Sequence, residues 1–302
     1  MNNRNGLLAA AGAYILWGLL PIYWKSMAQI PSYEILSHRI IWSMVVTLVL
    51  VFVTKRIHLL KACFSSPKTL LIFFTTASLL GGNWLVYIWA VNAGFVVESS
   101  LGYFINPLFS VVLAVIFLKE RLRLFQWLSI LIALGGVFYL TYSYGRIPYI
   151  ALWLSFTFGF YGLLHKKAAL GSLEGLTLET VLLAPLALVA LTYIESTQGS
   201  QFIRVGATPS LLLMMSGIVT TIPLLLFGWS TKKVDLSTLG ILQYLAPTLQ
   251  FLVGIFIYKE AFPREKMIGF SIVWLALFCY VTEGVVQRVR RRKARLGPLV
   301  NT

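Results

Sequence analysis

The stretch PLFSVVLAVIFLKE at 107–120 has a counterpart 140 residues later, PTLQFLVGIFIYKE at 247–260. Both keep the pattern Pro-x11-Lys-Glu, with Pro107, Lys119 and Glu120 answered by Pro247, Lys259 and Glu260. Each copy sits in an apolar run, 99–118 or 237–258, and each run is followed, after a short charged turn, by another. A chain that duplicates a unit of five membrane-crossing helices carries its second copy upside down, because five is odd. Inverted repeats of this kind build secondary transporters, with the substrate site between the halves.

Composition agrees with a membrane chain. Hydrophobic residues make up 58%, mean hydropathy is +0.82 and only 12% of residues are charged. A soluble domain could not bury so much apolar surface, so the bilayer must solvate it. With about 20 apolar residues per crossing, ten spans are expected: 6–24, 34–54, 69–91, 99–118, 123–142, 147–165, 176–194, 208–229, 236–258 and 266–286. The expected fold is an all-α membrane protein of ten transmembrane helices in an inverted 5+5 repeat. Residues 1–146 form the first unit, 147–287 the second, and 288–302 a basic tail.

The net charge of +15 invites a nucleic-acid reading, but its placement argues against one. With a cytoplasmic N-terminus, eighteen Lys and Arg fall on inside segments and six on outside ones, while Arg39 lies within a span. That is the positive-inside bias of a plasma-membrane protein with both termini cytoplasmic. The run Arg288–Arg295 reads as a stop signal touching anionic lipid. Two cysteines, Cys63 and Cys279, give neither a disulfide framework nor metal spacing. No metal, cofactor or enzyme motif is recognisable: His-Glu-x-x-His, Gly-x-Ser-x-Gly and a phosphate-cradling loop are all missing. Any uphill movement of solute would therefore draw on a gradient.

The halves show further weak likeness. Trp17-Gly-Leu-Leu20 resembles Tyr161-Gly-Leu-Leu164, and Glu34 opens the second span much as Glu179 opens the seventh. Ser99, Ser100, Ser237 and Thr238 stand where their hydroxyls could cap the fourth and ninth helices.

A proline within a helix leaves the carbonyl four residues earlier without its donor. Pro107 and Pro247 are expected to break their helices and free the carbonyls of Tyr103 and Gln243 near the bilayer midplane. Two readings are open: these carbonyls face a central cavity, or neighbouring hydroxyls meet them. Polar side chains gather nearby, with Asn106 on the face of Tyr103, Gln243 sharing a face with Gln250, Asn83 with Tyr87, and Thr221 in the eighth span. Amides and hydroxyls at this depth either glue helices together or line a pathway. Tyr14, Trp17, Trp84, Tyr87 and Tyr161 also sit deep, and rings with a few amides suit amphipathic organic solutes. The expected solute contacts are thus Tyr14, Trp17, Asn83, Trp84, Tyr87, Tyr103, Asn106, Tyr161, Thr221 and Gln243. Tyr23, Trp24, Tyr142 and Tyr144 read as interfacial anchors. Glu34, His38 and Arg39 form the one patch suited to proton coupling, or else a polar patch that fixes the second helix.

Several blocks resemble the RarD family, a bacterial branch of the EamA-type drug/metabolite transporters. They are Glu34-Ile-Leu-Ser-His-Arg-Ile-Ile-Trp42, Gly81-Gly-Asn-Trp-Leu85, Ser100-Leu-Gly-Tyr-Phe-Ile-Asn-Pro107, Gly217-Ile-Val-Thr-Thr-Ile-Pro223 and Ser237-Thr-Leu-Gly240 with Gln243-Tyr244. The resemblance runs from Gly6 to about Arg288. It implies a ten-helix inner-membrane permease with both ends cytoplasmic that exports small metabolites or drugs, and relatives in the superfamily move amino acids, aromatic ones included. The expected partners are a small-molecule substrate and membrane lipid, with no nucleic acid; substrate, direction, coupling ion and oligomeric state stay open. Two other readings are a non-transporting membrane sensor or assembly factor, and an intramembrane lipid enzyme. For the enzyme, His38, His58 and His165 are too scattered to form a centre.

Overall fold

Each long apolar run folds as helix, since backbone in hydrocarbon must satisfy its own hydrogen bonds. The computed structural model describes residues 3–27, 29–64, 66–92, 95–197, 199–202, 204, 206–259 and 264–296. The helices are α1 (Asn3–Lys25), α2 (Ser32–Val53), α3 (Ile57–Phe64), α4 (Pro67–Asn92), α5 (Val96–Leu118) and α6 (Leu124–Tyr144). They continue as α7 (Tyr149–Lys167), α8 (Ser172–Thr197), α9 (Ala207–Thr231), α10 (Leu236–Leu242), α11 (Leu245–Leu252), a π-helical turn (Val253–Ile257) and α12 (Arg264–Leu296). No strand occurs among the described residues.

Among the described residues, eight helices are long and apolar enough to cross a membrane: α1, α2, α4, α5, α6, α8, α9 and α12. The expected spans 147–165 and 236–258 fall on α7 and on the interrupted series α10, α11 and π-turn. The short α3 was not expected. α12 runs on past the end of the tenth expected span, to Leu296.

The surface is apolar and the interior carries hydroxyls. Phe52, Leu124, Phe138 and Leu186 are exposed, while Ser43, Thr47, Thr76, Ser216 and Thr231 are fully buried. Most of these hydroxyls return to carbonyls three or four residues back, as in Thr76 to Phe73 (3.1 Å) and Thr231 to Gly228 (2.8 Å). Thr47 and Thr180 meet across α2 and α8 at 3.3 Å, an interhelical polar contact of the sort that joins helices in lipid.

The two prolines behave differently. α5 runs unbroken through Pro107, so the expected break there is absent. The carbonyls on either side of the Tyr103 carbonyl that Pro107 frees each take a hydroxyl from elsewhere in the bundle: Ser155 donates to Gly102 O (3.1 Å) and Tyr244 to Phe104 O (3.1 Å). Gly240 lets α10 close on this point, since a Cβ there would stand 2.7 Å from Pro107 O. In the second copy the helix does break, at Gln243–Tyr244, four residues before Pro247. The Gln243 carbonyl, denied its usual donor by Pro247, accepts instead from Ala246 N–H at 3.1 Å.

The Lys-Glu turn explains itself in the first copy. Lys119 adopts the left-handed conformation (φ 54°), as Lys259 does in the second (φ 55°). Glu120 then reaches α10, accepting from Leu236 N (2.8 Å), Ser237 N (3.1 Å) and Ser237 Oγ (2.6 Å). A carboxylate here meets the free N–H groups and positive end of the helix. The cap therefore comes from Glu120 and not, as expected, from the hydroxyls of Ser237 and Thr238. At the other helix, Ser99 turns back to Phe95 O (3.1 Å). Glu260 lies outside the described residues. Glu120→Ala should lower stability by about 1–2 kcal/mol, with Glu120→Gln milder, as read by thermal unfolding in detergent.

Candidate functional site

Six helices and the α10–α11 junction enclose a cavity of about 310 Å³. α1 contributes Trp17, Leu20, Pro21 and Trp24; α2 contributes Arg39; α4 contributes Asn83, Trp84 and Tyr87. α5 adds Ser99, Gly102, Tyr103 and Asn106, while α7 and α9 add Leu154, Phe158 and Leu224. The broken helix adds Gln243, Ala246 and Gln250. The walls are thus mostly ring and aliphatic surface, with amides at a few points.

Several polar groups are already engaged. Asn83 Nδ2 donates to Leu154 O (2.9 Å) and Thr157 Oγ1 (2.8 Å), which fixes the amide against α7. Gln250 Nε2 donates to Trp17 O at 3.3 Å. Asn106 differs, because its Oδ1 is buried and has no hydrogen-bond partner among the described residues. The rings of Tyr87 and Tyr103 meet edge to face, centroids 6.0 Å apart. Arg39 Nε donates to Thr220 Oγ1 (2.8 Å), and its guanidinium lies 3.9 Å from the Trp84 ring centroid and 5.2 Å from that of Trp24.

One end of the cavity is shut by rings. Trp17 contacts Phe158 and Phe227, each at 5.6 Å, and Tyr14 at 5.7 Å. Phe158 and Phe227 are 5.4 Å apart, and Tyr161 stacks on Phe227 at 6.2 Å. Beyond this cluster lies a second cavity of about 750 Å³, lined by Arg4, Leu7 and Ala11 of α1 with Glu120, Arg123, Asp235 and Ser237. The order along the helices is consistent. On α1 the second cavity takes residues up to Ala11, the ring cluster Tyr14, and the first cavity residues from Trp17. The septum is six residues of helix, about 9 Å at 1.5 Å per residue.

Arg39 stands on the wall of the first cavity, and so do seven of the ten expected solute contacts: Trp17, Asn83, Trp84, Tyr87, Tyr103, Asn106 and Gln243. Three do not. Tyr14 and Tyr161 are buried within the ring cluster, one level below the cavity. Thr221 is not on the wall, and its Oγ1 is buried without a partner among the described residues, while its neighbour Thr220 holds Arg39. Successive residues differ by about 100° around a helix, so only one of the two can face inward here. Trp24, taken from the sequence as an interfacial anchor, lines the wall.

The acid–base groups separate. Glu34 Oε1 accepts from Ser200 Oγ (2.5 Å), Gln201 N (2.7 Å) and Phe202 N (3.2 Å), so it ties down the segment before α9. His38 packs its ring against Phe202 at 4.7 Å. No hydrogen bond joins the two, and neither lines the cavity. Glu34 sits in the first turn of α2 as Glu174, not Glu179, sits in the first turn of α8.

Sequence reasoning missed a buried cluster. His165 Nε2 is 2.8 Å from Glu179 Oε1, and the Tyr161 hydroxyl donates to Glu179 Oε2 at 3.3 Å. All three side chains are buried. The available signal was small: Tyr161 and His165 are one turn apart on α7, and Glu179 lies 140 residues after Arg39 in the register of the Pro-x11-Lys-Glu repeat.

A bundle of apolar helices around an internal cavity is a build that membrane transporters use, and the comparisons agree. The family model of the EamA-like transporter family matches residues 4–142. Protein RarD of Escherichia coli (strain K12) is 41% identical over 290 residues, 96% of this chain and 98% of that protein. The uncharacterized transporter YojE of Bacillus subtilis (strain 168) is 43% identical over 280 residues, 92% of this chain and 93% of that one. A solved crystal structure, 18% identical, covers 92% of this chain and 98% of its own with a TM-score of 0.73, which shows the same fold. The chain belongs to the RarD family of the drug/metabolite transporter superfamily. It is a multi-pass inner-membrane transporter of that kind.

Proposed function

We propose that the protein exports small amphipathic metabolites or drugs, amino-acid-like or aromatic, by alternating access, either down a gradient or coupled to one. In this reading ten spans form an inverted 5+5 repeat with both termini cytoplasmic, and the 310 Å³ cavity is the outward-facing substrate site. The observation that carries it is the pair of cavities on one helix axis, parted only by the ring cluster of Tyr14, Trp17, Phe158 and Phe227. Opening that septum while closing the far end would move the same site to the other face.

Helix pairing supports a twofold relation between the halves. α5 packs on α7 as α11 packs on α1, α4 on α7 as α9 on α1, and α2 on α9 as α8 on α4. The remaining principal pairs, α2 with α8, α5 with α10 and α6 with α12, join equivalent helices to each other. The left-handed lysines Lys119 and Lys259 mark matching points in the two copies. An interface that maps onto itself in this way suits rigid-body rocking of one half against the other.

Asn106→Ala and Gln243→Ala should each slow solute flux into proteoliposomes by roughly three- to tenfold, the worth of one hydrogen bond to substrate. Both variants should insert and purify like the parent. Normal flux in both would refute this assignment of the site.

A further inference from the structure

Among the described residues, Arg39 is the one Lys or Arg on the wall of the first cavity, and none of the wall residues is an Asp or Glu. Its Nε is bound to Thr220 Oγ1, whereas its terminal nitrogens make no hydrogen bond, and no carboxylate lies within ion-pair reach among the described residues. Trp84 and Trp24 hold the guanidinium by their π-faces at 3.9 and 5.2 Å. A cation at membrane depth ordinarily pairs with an anion, because charge there is poorly solvated. Ring faces offset part of that cost and leave the planar fork of donors free to grip a carboxylate with two parallel hydrogen bonds. Other arginines of the bundle are matched by carboxylates: Arg123 with Glu283 (2.6 Å), Arg56 with Glu174 (3.0 Å) and Arg146 with Glu98 (3.3 Å). The buried His165–Glu179 contact likewise lies away from this cavity.

Resting on the transport reading above, we propose that the missing counter-ion is the substrate: an organic monoanion whose carboxylate docks on Arg39 and whose apolar or aromatic body lies against the rings of the cavity. Among the described residues the wall offers no carboxylate for an ammonium, and the rings of Trp84 and Trp24 are already occupied by Arg39. The site therefore ranks an acid above its neutral ester and above the matching amine.

The test uses the purified full chain in detergent, with quenching of tryptophan fluorescence by 3-phenylpropionate, its methyl ester and 3-phenylpropylamine. The parent should bind the acid at least about tenfold more tightly than the other two, the scale of a charge-assisted hydrogen bond. Arg39→Gln should lose that preference and keep ester binding, which also reports that the variant is folded. Arg39→Lys, a charge without the fork, should recover only part of the preference. Equal binding of acid and amine by the parent, or an undiminished acid preference in Arg39→Gln, overturns the inference. Flux across proteoliposomes separates it from the reading it rests on. Acid-selective binding without any flux removes transport and leaves the anion site standing. Flux of amine or ester in preference to acid removes the anion site and leaves transport standing.

Discussion

Glu179→Ala should be the most damaging single truncation in the interior, costing about 3–5 kcal/mol, the usual penalty for removing one partner of a buried pair. The carboxylate takes His165 Nε2 at 2.8 Å and the Tyr161 hydroxyl at 3.3 Å, with all three side chains shielded from solvent. Its loss strands two buried polar groups without their acceptor. Tyr161 also stacks on Phe227, so the damage extends into the ring cluster. Glu179→Gln, which keeps an acceptor and adds a donor, should cost much less. The double variant Glu179→Ala with His165→Ala should recover part of the loss, because the stranded imidazole is then gone. Thermal unfolding in detergent reads all three. Equal stability of Glu179→Ala and parent would show that the cluster contributes nothing.

Gly217→Val should fail for a different reason. α9 crosses α2 at Gly217 so closely that a Cβ would stand 2.4 Å from the Trp42 carbonyl carbon and 2.5 Å from its oxygen. Those are backbone atoms inside a helix, and they cannot swing aside as a side chain would. Overpacking of a tight core costs about 1–3 kcal/mol even where side chains can adjust, and here two helices must separate. Ser43 Oγ, 3.4 Å from Gly217 O, would move with them. We expect a sharply reduced yield of folded protein by size-exclusion chromatography. Gly12→Ala serves as the control, since its nearest neighbour, a flexible Leu226 methyl, is 3.7 Å away. A normal yield for Gly217→Val would mean that the α2–α9 crossing is looser than its geometry.

Much of this architecture is legible in the sequence because hydrocarbon imposes a simple rule: an apolar run of sufficient length becomes a helix. All ten runs lie on helix, one of them interrupted. The details that escaped are those with no local signal. α3 is a single amphipathic stretch of eight residues inside a connection, too short to stand out by hydropathy. The two prolines are alike in sequence, yet only the second interrupts its helix. Grouping of polar and aromatic residues by helix face was enough to collect Asn83, Tyr87, Tyr103, Asn106 and Gln243 around one cavity. It could not choose between Thr220 and Thr221, since the rotation of α9 is set by its neighbours. The pairing of His165 with Glu179 escaped, because a contact joined across two helices leaves little spacing to read.

The thinness of the ring septum has an electrical consequence. With water filling the recesses on both sides, a membrane voltage would fall not across the whole hydrocarbon layer, about 30 Å, but across the roughly 9 Å of helix between Ala11 and Trp17. The field there would be about three times stronger than in the surrounding lipid. A monovalent solute passing Tyr14 and Phe227 would then do nearly all of its electrical work, about 2.3 kcal/mol per 100 mV, within a step as short as one of its own diameters.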